Sequence, residues 1–342
     1  MIATETVPAL KMSAGPERRP VLDKFRCGRF RFVLQATTSL RLNEFAGSTL
    51  RGGFGHVFKK IVCSWPPGDC RRCLLSNICA YSYVFETAPP PSSEKLRGLD
   101  QIPRPYVIEP PVASGHGPHA FRPGEHLAFH LVLIGRAVAL LPHFVLTFQE
   151  LGRVGLGPGR GKFQLKAVEA LGHDGCQQVY WGDSETFSQP KDAVTSDTLV
   201  KRFPLATRWL RVHFLTPTRI RNDGIVCSDL TFQDLVRALL RRLSSLCYFH
   251  CGGELDVDFK ELIEQAATVR TIASDLRWQD QERFSGRQHQ RIDMGGIVGS
   301  VTFQAPDAET LAPYLPLLAA GEFVHVGKGA VMGLGTYRID IP

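Results

Sequence analysis

Two glycine-rich stretches decide the fold: Gly152-Arg-Val-Gly-Leu-Gly-Pro-Gly-Arg-Gly161 and Gly327-Lys-Gly-Ala-Val-Met-Gly-Leu-Gly335. Each follows a helical pattern and precedes a short alternating run, Lys162 to Val168 after the first and Tyr337 to Ile341 after the second. A glycine loop at the same place before two last strands predicts a repeated unit. Neither loop fits a P-loop, because no Gly-Lys-Ser/Thr ends it and no helix follows. Glycines let backbone N–H groups approach a ligand closely. Arg160, Lys162 and Lys328 lie in or beside the loops, so both are candidates to cradle phosphates of a strand laid across a sheet. The plainer reading is a pair of tight turns filling a gap between domains.

Upstream of the first loop, Phe30, Phe32, Leu34 and Ala36 alternate with Arg31, Val33 and Gln35, which predicts a strand. Ser48 and Thr49 open a helix over 49–62, with Leu50, Phe54, Val57 and Ile61 on one face. Arg104 to Glu109 and His126 to Ile134 read as strands, and Val138 to Leu151 as a helix with Pro142 in its first turn. The order β-α-β-β-α-β is a ferredoxin-like unit. Upstream of the second loop the order recurs: a strand over Trp209 to Arg219, a helix from Thr231 to about Phe249, strands over Val269 to Trp278 and Gly296 to Phe303, and a helix from Asp307 to Ala320. The expected fold is α+β, with tandem ferredoxin-like (RRM-like) domains at 28–171 and 206–342. Residues 1–27 read as a flexible tail, 63–79 as a cysteine-rich insert in the first domain, and 172–205 as a linker or trailing hairpin.

The chain has 342 residues, 44% of them hydrophobic and 21% charged, which suits two globular cores. No apolar run approaches the roughly 18–20 residues of a membrane helix, and no export pattern opens the sequence. The expectation is a protein without membrane association that stays in the cytoplasm. The formal net charge of +7 permits a polyanionic partner without demanding one. Nine cysteines without an export signal argue against a disulfide framework. Four of them form Cys63-x6-Cys70-x2-Cys73-x5-Cys79, a spacing that can staple an insert around a structural zinc. Catalytic zinc finds no open-position pattern here, and His250, between Cys247 and Cys251, reads as the end of a packed helix.

From Trp278 to Gly296, Arg283, Arg287 and Arg291 recur every four residues with Trp278 and Phe284 interleaved. Cations with aromatics suit phosphate and base contacts, although a lone charged hairpin is more often simply solvated. Here the chain resembles the CRISPR-associated endoribonucleases that cut precursor guide RNA, in the repeat-associated (RAMP) superfamily. The resemblance rests on Trp278, Asp280, Arg283, Ser285, Arg287, Gln288, Gly295 and Gly296, followed by Gly327 to Gly335. In the first half it rests on Leu50-Arg-Gly-Gly-Phe-Gly-His56 and the cysteine cluster, so it spans most of residues 28–342. It implies binding of CRISPR repeat RNA and metal-independent cleavage to a 2′,3′-cyclic phosphate and a 5′-hydroxyl. Together with the loop and hairpin readings it gives an expected RNA surface of Arg160, Lys162, Arg283, Arg287, Gln288, Arg291, Gly327, Lys328 and Gly329.

RNA carries its own nucleophile, so the protein need supply an acid, a base and charge stabilisation. His56 and Lys60 are four apart on the helix, with Lys59 on the same broad polar face. With the resemblance, His56 is the expected acid or base and Lys60 or Lys59 the electrostatic stabiliser. His325, His116 and His119 are rivals. The family's arrangement adds a tyrosine near the first strand; here no tyrosine precedes Tyr81. Two other readings stand beside this one: a non-catalytic guide-RNA-binding subunit of a CRISPR effector complex, working with other subunits, and a metal-stapled interaction module unrelated to RNA.

Overall fold

The computed structural model describes residues 22–65, 69–87, 89, 93, 102–111, 119–172, 175–191, 194–195, 198–199, 201, 203, 207–222, 224–285 and 290–341. Strand β1 (Arg26–Ala36) starts the first half. The short β2 (Leu40–Leu42) and helix α1 (Ala46–Val62) follow, then β3 (Tyr106–Glu109), the short β4 (His119–Phe121), β5 (His126–Ile134), helix α2 (Leu141–Val154) and β6 (Phe163–Leu171). The sheet order β3-β5-β1-β6, with every neighbouring pair antiparallel, is the ferredoxin-like arrangement. Alternation explains it. Phe30, Phe32, Leu34 and Ala36 of β1 point with Leu127, Phe129, Leu131 and Leu133 of β5 into one core under α1 and α2. In α1, Phe58 joins Leu50, Phe54 and Val57 in that core, whereas Ile61 is exposed.

The stretch expected as a linker or trailing hairpin carries three short strands. β7 (Cys176–Trp181) pairs with β6, β8 (Thr186–Phe187) with β7, and β9 (Val194–Thr195) with the start of β1. The expected tail ends earlier than residue 27: residues 1–21 lie outside the described residues, and Leu22, Phe25 and Cys27 are buried in the core of the second half. Their apolar side chains have a surface to cover there, which the local sequence does not reveal.

The second half runs β10 (Trp209–Thr218), the small hairpin β11 (Arg221–Asn222) and β12 (Ile225–Val226), α3 (Phe232–Leu246) and α4 (Phe259–Ala266). It continues with β13 (Arg270–Ser274), β14 (Arg277–Gln279), the hairpin β15 (Glu282–Ser285) and β16 (Gln290–Asp293), β17 (Gly296–Gln304), α5 (Leu315–Val324) and β18 (Tyr337–Asp340). The order β13-β17-β10-β18 repeats that of the first half. Thr231 caps α3 in a reciprocal box with Asp234, and the leucines at 235, 239, 243 and 246 bury its stripe. Among the described residues, no helix is long and apolar enough to cross a membrane.

The halves interlock through polar groups. Glu109, at the end of β3, takes bonds from Arg29 Nε and Nη2 at 3.1 and 2.5 Å and lies 3.3 Å from Nε2 of His325 in the second half. A π-helical turn, Cys247–Cys251, follows α3 and docks on the first half. There His250 Nε2 meets the Pro103 carbonyl at 2.7 Å, and burial pushes the ring's pKa down to about 4. A side chain at Gly135 would strike the His250 carbonyl, at 2.0 Å from its Cβ.

Candidate nucleic-acid interface

Between the halves lies an open cleft of about 1010 Å³. One wall is α1, which contributes Ser48, Arg51, Gly52, His56 and Lys59. Of the four glycines in this helix, Gly52, Gly53 and Gly55 lie in its interior and call for compensation, and side chains provide it at two of these three. A Cβ at Gly55 would meet the Phe85 ring at 2.3 Å and one at Gly53 would meet Leu156 at 2.7 Å. Gly52 has nothing within 4 Å, so it faces open cleft. A π-helical turn, Ser82–Glu86, closes the lower wall with Phe85 and Glu86, next to Tyr81 and Arg104. The Arg51 guanidinium lies 4.5 Å over the Phe85 ring, and Lys59 Nζ lies 5.3 Å from the Tyr81 ring centre.

The opposite wall is the second glycine loop and the β15–β16 hairpin. Gly327 and Gly329 both have φ of 83°, and Gly335 has φ of 70°. A Cβ at Gly335 would sit 1.8 Å from the Val326 carbonyl, so only glycine closes this turn. The Lys328 N–H donates to Arg219 O at 3.1 Å. Arg219, buried, also holds the hairpin: its Nε donates to Gly295 O at 2.7 Å and its Nη2 to Asp293 Oδ2 at 2.5 Å. The hydrogen bond from Arg219 holds the Asp293 carboxyl below the usual carboxylate range. Trp278 packs on the Arg219 guanidinium at 5.3 Å and donates to Asp280 at 2.9 Å, and a Cβ at Gly296 would strike the Thr218 backbone at 2.6 Å. Thus Trp278, Asp280, Gly295 and Gly296 brace the loop against the hairpin.

Of the residues expected at the site, the cleft gathers His56, Lys59, Arg283, Gly327, Lys328 and Gly329. His56 is exposed to it. Partial burial, with Arg219 beside it, holds the Lys328 ammonium below the usual lysine range. Lys60 is exposed on α1 but does not line the cleft. Arg291 pairs with Glu282 at 3.3 Å, outside the cleft lining. Arg160 and Lys162 also fall outside it. Their loop folds onto β2, where a Cβ at Gly157 would touch the Arg41 carbonyl at 2.0 Å, and the Lys162 N–H donates to Thr38 Oγ1 at 2.8 Å. That packing seats the first loop outside this cleft, with Arg160 and Lys162 exposed. Arg287, Gln288 and His116 lie outside the described residues. His325 is sealed in the core beside Glu109, and His119 sits in β4 opposite Leu42, so neither rival reaches the cleft.

The four clustered cysteines do not form the expected metal site. Among the described residues, which include all four, no three His, Cys, Asp or Glu side chains are grouped to hold a metal ion. Cys63 Sγ lies 3.0 Å from the Trp65 carbonyl oxygen, while Cys70 and Cys79 pack on the first core. The donors therefore do not fit a tetrahedral zinc.

Four lining residues escaped the sequence reading. Tyr81 lines the cleft, 25 residues beyond His56 in the chain. Burial, with Glu86 beside it, holds its hydroxyl above the usual tyrosine range, so it stays a proton donor, 3.5 Å from Glu86 Oε1. Arg51, Arg104 and Arg242 add charge. Arg242 had a legible signal: it falls three residues after Leu239 and four before Leu246, a cation on an apolar stripe.

Residues 212–337 match the family model of the CRISPR-associated endoribonuclease Cas6. Over that stretch the chain is similar to Cas6. Residues 25–192 match a second model, AF_1859_N, described as an N-terminal domain. An uncharacterized protein of Archaeoglobus fulgidus is 25% identical over 303 residues, 87% of this chain and 92% of the relative. Thermus thermophilus Cas6 in its product complex shares the fold at a TM-score of 0.56 and 16% identity, over 92% of this chain and all of that one. A chain of a partial Cas6-RT-Cas1–Cas2 complex does so at 0.55 and 14%, over 94% of this chain and 47% of that one.

Proposed function

We propose that this chain is of the Cas6 type and cleaves CRISPR repeat RNA, with the strand laid in the cleft between its halves. One observation carries the reading: an exposed imidazole, His56, opens onto a cleft walled by Arg51, Lys59, Arg283 and Lys328. Imidazole titrates near neutral pH and can both take and give a proton. The lysines and arginines favour the extra negative charge of a phosphorane-like transition state.

In the proposed reaction the 2′-oxygen at the cut nucleotide forms a bond to the adjacent phosphorus as its proton leaves. The phosphorus–O5′ bond breaks, and O5′ takes up a proton. The ends are a 2′,3′-cyclic phosphate and a 5′-hydroxyl. His56 performs one proton transfer. Lys59, three residues on along the same helix, steadies the phosphate charge, and Tyr81, kept protonated by burial, supplies a second donor. The chemistry as proposed uses no metal ion.

The test is purified protein with a repeat hairpin in EDTA. Cleavage that a 2′-deoxy substitution at the cut nucleotide abolishes supports the reading. His56→Ala should keep RNA affinity and lose cutting by about 10²–10⁴-fold, the usual contribution of general acid–base catalysis. Binding by the wild type without cleavage identifies a guide-RNA-binding subunit instead, and no salt-dependent affinity for RNA excludes both. Other CRISPR proteins are the proposed protein partners, by analogy with the Cas6-RT-Cas1–Cas2 assembly.

A further inference from the structure

The cleft contains an imbalance that goes beyond the proposed chemistry. Among the described residues, four buried side-chain nitrogens lack a hydrogen-bond partner, and three are guanidinium nitrogens lining this cleft: Arg51 Nε, Arg242 Nη2 and Arg283 Nε. Orphaned polar atoms are rare in native folds and each asks for a cause. Arg242 is the sharpest case. Its Nε donates to the Val324 carbonyl at 2.8 Å, and no ion pair to it occurs among the described residues. Burial alone pulls its pKa down to about 10, which marks a charge desolvated without compensation. Glu86, the one carboxylate among the described lining residues, lies 3.5 Å from the Tyr81 hydroxyl.

Arg51 and Arg283 come from opposite halves, yet burial first, and then the Arg51 charge, pull the Arg283 guanidinium below its usual range. Two like charges facing each other, with an unpaired third lining the same cleft, form a surface for an anion. Guanidinium forks match phosphate oxygens, and a desolvated fork has no water to give up when one arrives. The opening is too large for a single free ion, so the anion belongs to a chain.

We propose that the deep end of the cleft is a socket for one internucleotide phosphate, with Arg242 as its floor and Arg51 and Arg283 as its walls. RNA thereby supplies the counter-ion that the folded protein lacks. The socket deepens the RNA reading above and rests on it for the identity of the ligand. It carries a signature that a merely structural arginine does not. Removing the charge should relieve the RNA-free protein while impairing the complex.

The experiment compares wild type, Arg242→Met, Arg242→Lys and Arg283→Gln, with a 2′-deoxy-blocked repeat RNA as ligand. Arg242→Met, apolar and of similar length, should melt at or above the wild-type temperature without RNA. It should bind the RNA 10- to 100-fold more weakly and lose most of the RNA-induced rise in melting temperature. Arg242→Lys should recover part of the affinity, and Arg283→Gln should lower the salt dependence of binding by about one phosphate contact. A lower melting temperature for Arg242→Met with unchanged RNA affinity makes the arginine structural and overturns the socket. Should Arg242→Met not fold, Arg283→Gln with wild-type affinity and salt slope overturns it equally. A titration of wild type and Arg242→Lys with inorganic phosphate, against chloride at equal ionic strength, separates this proposal from the one it rests on. Phosphate that stabilises wild type more than Arg242→Lys, in a protein that binds no RNA, keeps the anion socket and sinks the RNA reading. Cleavage of repeat RNA by a wild type whose Arg242 variants bind normally does the reverse.

Discussion

Replacing Glu109 by Gln tests whether the two halves are locked by one buried carboxylate. Glu109 is 7% exposed and meets Arg29 and His130 from its own half and His325 from the other. Burial pushes its pKa up, but His325 and Arg29 outweigh this and hold it at about 2, against an ordinary value of 4.5. A carboxylate whose folded value lies below its unfolded one favours folding when ionised. The contribution is complete above about pH 5 and disappears as pH falls through about 2. The shift corresponds to about 3 kcal/mol at pH 7, of which about 2 kcal/mol is gone by pH 3. Gln keeps the shape, loses the charge and leaves a partly buried Arg29 and a buried His325 opposite a neutral amide. At pH 7 the variant should therefore be less stable by about 3–5 kcal/mol. Urea unfolding followed by tryptophan fluorescence at pH 7, 5, 4 and 3 gives the difference between the two proteins. His250, neutral and buried, also loses stability below its unfolded pKa of about 6.5, but it does so equally in both proteins and cancels. A gap between wild type and Glu109→Gln that stays constant from pH 7 to pH 3 would refute the reasoning.

Two further perturbations separate packing from chemistry. Gly52→Ala, facing open space in α1, should raise stability by up to about 1 kcal/mol, whereas Gly55→Ala, driven into the Phe85 ring, should lower it by about 1–3 kcal/mol; paired thermal melts read the contrast. Cys63→Ser and Cys73→Ser should each cost less than about 1 kcal/mol, and a strong chelator should leave the melting temperature unchanged. Stoichiometric zinc in the purified protein, lost with unfolding, would contradict the thiol geometry.

The repeated sheet was legible because alternation is a local signal. Phe30 to Ala36 and His126 to Ile134 read as half-buried strands from residue type alone, and the paired glycine loops fixed their common order. The site was legible only in part. His56, Lys59 and Lys328 stand where the residue types pointed, yet Arg160 and Lys162 share the second loop's chemistry and not its position. A glycine loop records a tight turn; what lies across from it depends on the other half of the chain. Tyr81 was hidden because the π-helical turn after it, not its spacing from α1, brings it to the cleft. Arg242 was visible as a flaw in a leucine stripe, but a misplaced cation does not announce what it faces.

Leu22, Phe25 and Cys27 have one more implication, for the order in which the molecule is made. They are buried with Leu210, Leu239 and Ile339. Made well before the second half, these residues therefore stay without shelter from water until it follows. The amino-terminal half can assemble its own sheet during synthesis, but its leading edge stays greasy until the second half is made. A ribosome stalled near residue 205 would expose a sticky intermediate, and chaperones would be most needed there.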